Sequence, residues 1–129
     1  MKLENQVTSV KLSNKLHKLG VINPSLFYRE WTGAKENEIE VWSKLDYCED
    51  NVNCYTVAEL GEMLPWIIDK QELRTKKSKS GWWCFYEKQE RDIESLNIEW
   101  AKTEADVRAK MLIYLIEKNL WNTKQNDSI

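Results

Sequence analysis

Five residues of this chain could build a site for an anionic, ring-bearing ligand. Arg29 and Trp31 stand two apart on one predicted strand and so share a side of it. Trp82 and Tyr86, with Cys84 between them, share a side of another, and Arg91 follows that second strand. Aromatic rings offer faces for stacking, and a guanidinium offers a planar fork of donors for phosphate or carboxylate. If Arg29, Trp31, Trp82 and Tyr86 converge, with charge supplied by Arg29 or Arg91, the set suits a nucleotide-like ligand. The same rings would serve equally well as core or as the seam of a homodimer, and both readings stay open at the level of sequence.

Other chemistry finds little footing. There is no glycine-rich phosphate loop, no paired-cysteine metal motif and no nucleophile elbow. His17, the only histidine, lies off the leucine stripe of its segment and reads as a surface residue. Cys48 and Cys54 are separated by five residues, a spacing that matches no common zinc site. With Cys84 they make an odd set without a disulfide framework, so reduced thiols are expected. Asp46, Glu49, Asp50, Glu59 and Glu62 are plentiful carboxylates, but acid–base catalysis needs two in different environments converging on one substrate. The expectation is therefore no catalytic residue, no metal and no cofactor. Arg74, Lys76, Lys77 and Lys79 could meet phosphate, with salt-sensitive affinity, or could be a solvated basic loop.

The elements that must position these residues follow from periodicity and turn signals. Leu12, Leu16 and Leu19 form one helical stripe, predicting a helix from about Ser9 to Leu19 with Thr8 as cap, Val7 stapled on Leu12 and Gly20 closing it. The segment Leu26 to Trp31 reads as a strand, and Glu38 to Trp42 as its antiparallel partner. Asp46 to Asn53 reads as irregular. Thr56 to Glu59 is a capping box opening a short helix that should stop near Leu64, because the residue before Pro65 avoids the helical region. Asp69 to Ser80 reads as a flexible loop. Trp82 to Glu87 is the strongest strand signal, pairing with a strand from about Ile93 to Trp100 through a polar connection, Lys88 to Asp92. Thr103 caps a last helix running to about Asn119, with Ala105, Ala109, Leu112, Ile113, Ile116 and Leu120 as its buried stripe. The tail 122–129 is polar and expected to fray. The order α-β-β-α-β-β-α predicts an α+β fold, an antiparallel sheet with helices mainly on one face. Such a sheet must turn one of Trp82 and Trp83, and one of Phe27 and Tyr28, away from the helices.

Bulk composition limits the classes further. A chain of 129 residues, 42% hydrophobic and 31% charged, fits one domain (1–129) with a real core. Nineteen Lys and Arg against 21 Asp and Glu leave a net charge of −2, which disfavours a general nucleic-acid binder. Four Gly and two Pro specify too few turns for a many-stranded sandwich. The opening residues carry no apolar run, so no secretory signal is expected, and Met111 to Ile116 is far too short for a membrane span. Seven Trp in so short a chain are more than one small core should bury, which predicts a homodimer or higher homo-oligomer.

The segments Thr56-Val57-Ala58-Glu59-Leu60-Gly61-Glu62-Met63-Leu64-Pro65-Trp66 and Ala105-Asp106-Val107-Arg108-Ala109-Lys110-Met111-Leu112-Ile113-Tyr114-Leu115-Ile116-Glu117 resemble a family of short proteins encoded by bacteriophages and prophages. Leu3 to Val7, Lys18 to Val21 and Ser25 to Tyr28 add to the resemblance. It carries no active-site residues. It implies a small accessory protein acting in the cytoplasm of a bacterial host. The expected function is binding and sequestering a nucleotide-type host immune signal. The alternatives are a module that blocks a host defence protein through its aromatic sheet face, or a nucleic-acid-binding phage regulator that uses Arg74 to Lys79.

Overall fold

The computed structural model describes residues 5–29, 39–41, 52–88 and 98–121. Helix α1 spans Val10–Lys18. Its cap is Ser9, whose hydroxyl accepts from the Leu12 amide, rather than Thr8. Thr8 is fully buried and otherwise engaged: its hydroxyl bonds Ser13 Oγ at 2.6 Å and accepts the Tyr55 amide at 3.1 Å. The helix closes as predicted. Gly20 takes φ 89°, its amide donates to His17, and the Val21 amide reaches back to Leu16, with Val21 and Leu16 both buried.

Strands β1 (Phe27–Arg29) and β2 (Ile39–Val41) pair antiparallel with Phe27 opposite Val41. A strand that the sequence reading missed, β3 (Val52–Cys54), pairs with the other edge of β1 and gives a three-stranded sheet of order β2-β1-β3. Helix α2 (Val57–Met63) begins on the full Thr56–Glu59 capping box and stops where expected, with Leu64 already extended at ψ 127°.

The segment expected as a flexible loop is instead sheet. Strand β4 (Ile67–Ile68) turns through Asp69 and Lys70, both at positive φ (49° and 66°), into β5 (Gln71–Lys77). Two consecutive left-handed residues make the two-residue hairpin turn that matches strand twist. Strands β6 (Trp82–Lys88) and β7 (Ile98–Ala101) complete an antiparallel sheet of order β4-β5-β6-β7. The chain is thus α+β, but with two antiparallel sheets where one was expected.

Helix α3 (Glu104–Glu117) lies against β6 and β7 on one face and against α1 and α2 besides. Being enclosed on several sides, it buries Val107, Met111 and Leu115 in addition to the predicted Ala105, Ala109, Leu112 and Ile113. Leu120, placed in the buried stripe by spacing, lies beyond the helix end and is 40% exposed. Thr103 caps α3 through the Asp106 amide. The Asp106 carboxylate accepts the Ser9 amide at 2.8 Å and so ties the start of α1 to the start of α3. The connection 89–97 and the tail 122–129 lie outside the described residues. Among the described residues no helix is long and apolar enough to cross a membrane.

Gly81 shows how tightly the sheet closes. A Cβ at this position would meet the Ala101 carbonyl oxygen at 2.4 Å and the Trp100 ring at 2.7 Å. Gly81→Ala is expected to destabilise the fold by roughly 1–3 kcal/mol, as overpacking does. A lowered denaturant midpoint would show it, and a midpoint equal to wild type would contradict the packing described.

Candidate functional site

The alternation of β6 decides where its aromatic side chains go. Cys84 and Tyr86 are fully buried against the helices, and Trp82, on the same side, is half-buried at the margin of the core. Trp83 and Phe85 point to the opposite face, open in that none of the described helices packs on it, where Trp83 is 39% exposed. Register extends both sets across the sheet. Trp83 pairs with Trp100 and Phe85 with Ile98 on the open face, while Lys77, Trp82 and Ala101 form the last row on the helix side.

Of the two singled-out residues whose side chains are described, Trp82 and Tyr86, Trp82 lies where a ligand could meet it. Tyr86 is a correction: it belongs to the core, and its hydroxyl donates to the Pro65 carbonyl at 2.6 Å, so its ring is closed to stacking. It was read as open because it shares a side with Trp82, but that side is the one the helices cover. Arg29 is described as backbone only, in β1 opposite Ile39 and Val52. Trp31 and Arg91 lie outside the described residues.

Trp82 lines a cleft of about 590 Å³ together with Lys77, Lys102, Thr103 and Glu104, and with Asn5 and Gln6 from the N-terminal segment. Lys77 is exposed, and its ammonium sits 5.9 Å from the Trp82 ring centroid, a contact worth roughly 0.5–1 kcal/mol at such a site. Lys102 enters because it follows Ala101, the residue paired with Trp82. Glu104 brings the opposite charge, but Arg108 holds its carboxylate through Nη2 at 3.1 Å and Nε at 3.3 Å. The cleft therefore offers an indole and two ammonium groups with its one carboxylate already compensated. Sequence reasoning missed both lysines. By sequence Lys77 falls in an expected loop, and only the strand register brings it beside Trp82.

Two other depressions are less suited to such a ligand. A cavity of about 620 Å³ between α1 and α3 is lined by Lys11, Lys15, Lys18 and Lys110. Glu99 and Glu117 also line it, Lys15 pairs with Glu117 at 3.8 Å, and Lys110 donates to the Trp100 carbonyl at 2.9 Å. Four lysines against two glutamates leave it positive, and what sets it apart from the Trp82 cleft is the lack of an indole, Tyr114 being the aromatic side chain in its lining. A shallower depression of about 400 Å³ lies on the open sheet face beside Lys76, Trp83, Phe85 and Ile98.

Burial favours the neutral forms of Cys84, Tyr55 and Tyr86. Burial pushes the Cys84 thiol up to about 11, with the Arg108 charge and a Thr75 hydrogen bond opposing it only in part. Cys54 is also fully buried. Burial raises Tyr55 to about 12, and its hydroxyl donates to the Asn23 carbonyl at 2.8 Å. Burial also raises Tyr86 strongly. Among the described residues no three His, Cys, Asp or Glu gather closely enough to hold a metal ion. Comparison of the chain with protein-family models, with curated proteins and with solved structures gives no match, so the cleft is interpreted from its own residues.

Two outcomes follow from burial. In the native protein at pH 8, Cys54 and Cys84 should resist a thiol reagent until the chain unfolds, because the thiolate is the reactive form. Rapid labelling of either, located by peptide mass mapping, would contradict their placement. For Tyr55 the neutral phenol is favoured in the folded state. Its contribution to stability is therefore complete below pH 10 and declines as pH rises toward about 12, while the unfolded chain ionises first. Tyrosinate absorbance should accordingly lag behind that of the denatured chain in an alkaline titration.

Proposed function

We propose that the chain binds a nucleotide-type ligand in the Trp82 cleft and acts by holding it rather than transforming it. The observation that carries this reading is the placement of one half-buried indole beside the Lys77 ammonium, with Lys102 in the wall of the same cavity of about 590 Å³. That volume lies within the range of roughly 300–1,000 Å³ usual for small-molecule sites. A base stacked on Trp82 would take the position now held by the Lys77 ammonium. The displaced ammonium, with that of Lys102, would then meet the phosphate. The side-chain amides of Asn5 and Gln6 stand at the cleft to read a base edge. In the setting implied by the resemblance to phage-encoded proteins, holding such a ligand amounts to sequestering a host immune signal.

The second reading, a module that blocks a host defence protein, is favoured by one observation: the open sheet face carries Trp83 and Ile98, 39% and 55% exposed. Exposed contiguous apolar area of this kind marks interaction surfaces. The nucleic-acid regulator finds less support. Arg74 bonds Glu72 at 2.7 Å and lies 3.7 Å from Glu87, so the charge of the basic segment is partly neutralised by its own sheet.

A thermal-shift screen against cyclic dinucleotides, cyclic oligonucleotides and ADP-ribose-type compounds tests the proposal. At least one should raise the melting temperature progressively with ligand concentration. Trp82→Ala should then weaken binding by roughly 5- to 150-fold, the range expected for loss of one stacked base at ~1–3 kcal/mol. Lys77→Gln with Lys102→Gln should flatten the salt dependence. A panel without effect, or a Trp82→Ala protein of unchanged affinity, would refute the assignment.

A further inference from the structure

We propose that the cavity between α1 and α3 binds a small anion carrying two or more phosphate groups. This goes beyond the nucleotide reading and does not depend on it. The two sites are separate on α3: Lys110, Tyr114 and Glu117 bring the second half of the helix to this cavity, whereas the Trp82 cleft meets the helix at its cap, Thr103, and its first residue, Glu104.

One stripe of α1 supplies most of the charge. Lys11, Asn14, Lys15 and Lys18 stand at i, i+3, i+4 and i+7, so they share a side of the helix, and all four line the cavity. Lys110 joins them from α3. Four lysines against Glu99 and Glu117 leave an excess of two positive charges, in a chain whose net charge is −2. The compensation present is weak. Lys15 and Glu117 pair at 3.8 Å, but each side chain is about half exposed, where ion pairs contribute little. Lys110 gives one N–H to the Trp100 carbonyl at 2.9 Å and keeps two more to donate. Among the described residues neither Lys11 nor Lys18 forms an ion pair.

This arrangement works against the helix that carries it. Helix α1 contains no acidic residue. Lys11 and Lys15 repel at i, i+4, and Lys15 and Lys18 at i, i+3. Lys11 also stands in the first turn, where the helix macrodipole disfavours a cation. Asp106 reaches that turn from α3, but its carboxylate bonds the Ser9 amide rather than a lysine. A multiply charged anion in the cavity offsets the repulsion among the lysines at once. The lining selects phosphate over carboxylate. It contains no Arg, whose planar fork matches a carboxylate, and a lysine ammonium meets phosphate as a point charge. The volume of about 620 Å³ suits a small molecule, for which roughly 300–1,000 Å³ is usual, and the negative chain as a whole would repel a long polyanion.

Isothermal titration calorimetry of the full chain with inorganic pyrophosphate, at fixed ionic strength, tests this. Wild type is expected to bind it saturably, and Lys11→Gln with Lys18→Gln should weaken binding at least tenfold. Lys77→Gln with Lys102→Gln, in the Trp82 cleft, should leave this affinity unchanged, which keeps the two sites distinguishable. Citrate should bind at least tenfold more weakly than pyrophosphate. The ligand-free Lys11→Gln protein should melt at or above the wild-type temperature, as expected if the lysine serves the ligand rather than the fold. The proposal would be overturned by the absence of saturable heat, by an affinity that falls with the Lys77 and Lys102 variant instead, or by citrate bound as tightly. A Lys11→Gln protein that melts below wild type, or a single-stranded oligonucleotide held by this stripe while pyrophosphate is not, would overturn it equally.

Discussion

The period of two along β6 is the constraint from which most of this structure follows. The run Trp82-Trp83-Cys84-Phe85-Tyr86 contains four aromatic residues in five positions. A strand cannot turn them all to one side. Cys84 and Tyr86 enter the core under α3, Trp82 falls at its margin, and Trp83 and Phe85 are left on the open face. One strand thereby supplies a core, a cleft and an exposed surface, and the neighbouring strands extend each through their register.

Polar tips on buried groups fasten the helices to this frame. Tyr86 donates to the Pro65 carbonyl just beyond α2, and the Trp121 indole donates to the Met63 carbonyl at 2.7 Å at the end of that helix. Asp106 joins the starts of α1 and α3. Among the described residues no buried side-chain nitrogen or oxygen lacks a partner, as expected when each unmet group would cost ~1–3 kcal/mol. The cleft gains from this order. Thr103, one of its walls, is held as the cap of α3, and Arg108 holds the Glu104 carboxylate. The ring and Lys77 thus stand on strands, and Lys102 on the short link between β7 and α3.

Much of the fold was legible because local chemistry and tertiary packing agree. The Thr56–Glu59 capping box, the stop before Pro65, the turn at Gly20 and the aromatic strand all signal their structure within a few residues. Strand β5 gave no such signal. Gln71 to Lys77 contains one strongly apolar residue, Leu73, and its hairpin turn is Asp69-Lys70 where a glycine would be usual. Its place between β4 and β6 comes from pairing partners rather than from its own pattern. Strand β3 is likewise three residues long and defined by its pairing with β1. The site was half legible for the same reason. The sequence marks Trp82 as a ring that could be presented, and it separates Trp82 from Trp83 by face. Which face the helices cover is a tertiary fact, and it puts Tyr86 in the core. The contributions of Lys77 and Lys102 depend on a register that spacing along the chain does not reveal.

In the proposed function Trp82, not the open-face aromatics, meets the ligand. The most direct measurement is nuclear magnetic resonance of the indole N–H signals of the seven tryptophans, assigned by single substitutions and followed through titration with the nucleotide panel. One nucleotide is expected to shift the Trp82 resonance in a saturable manner and to leave those of Trp83 and Trp100 in place. Shifts at Trp83 and Trp100 with Trp82 unmoved, or no saturable shift with any compound, would contradict it.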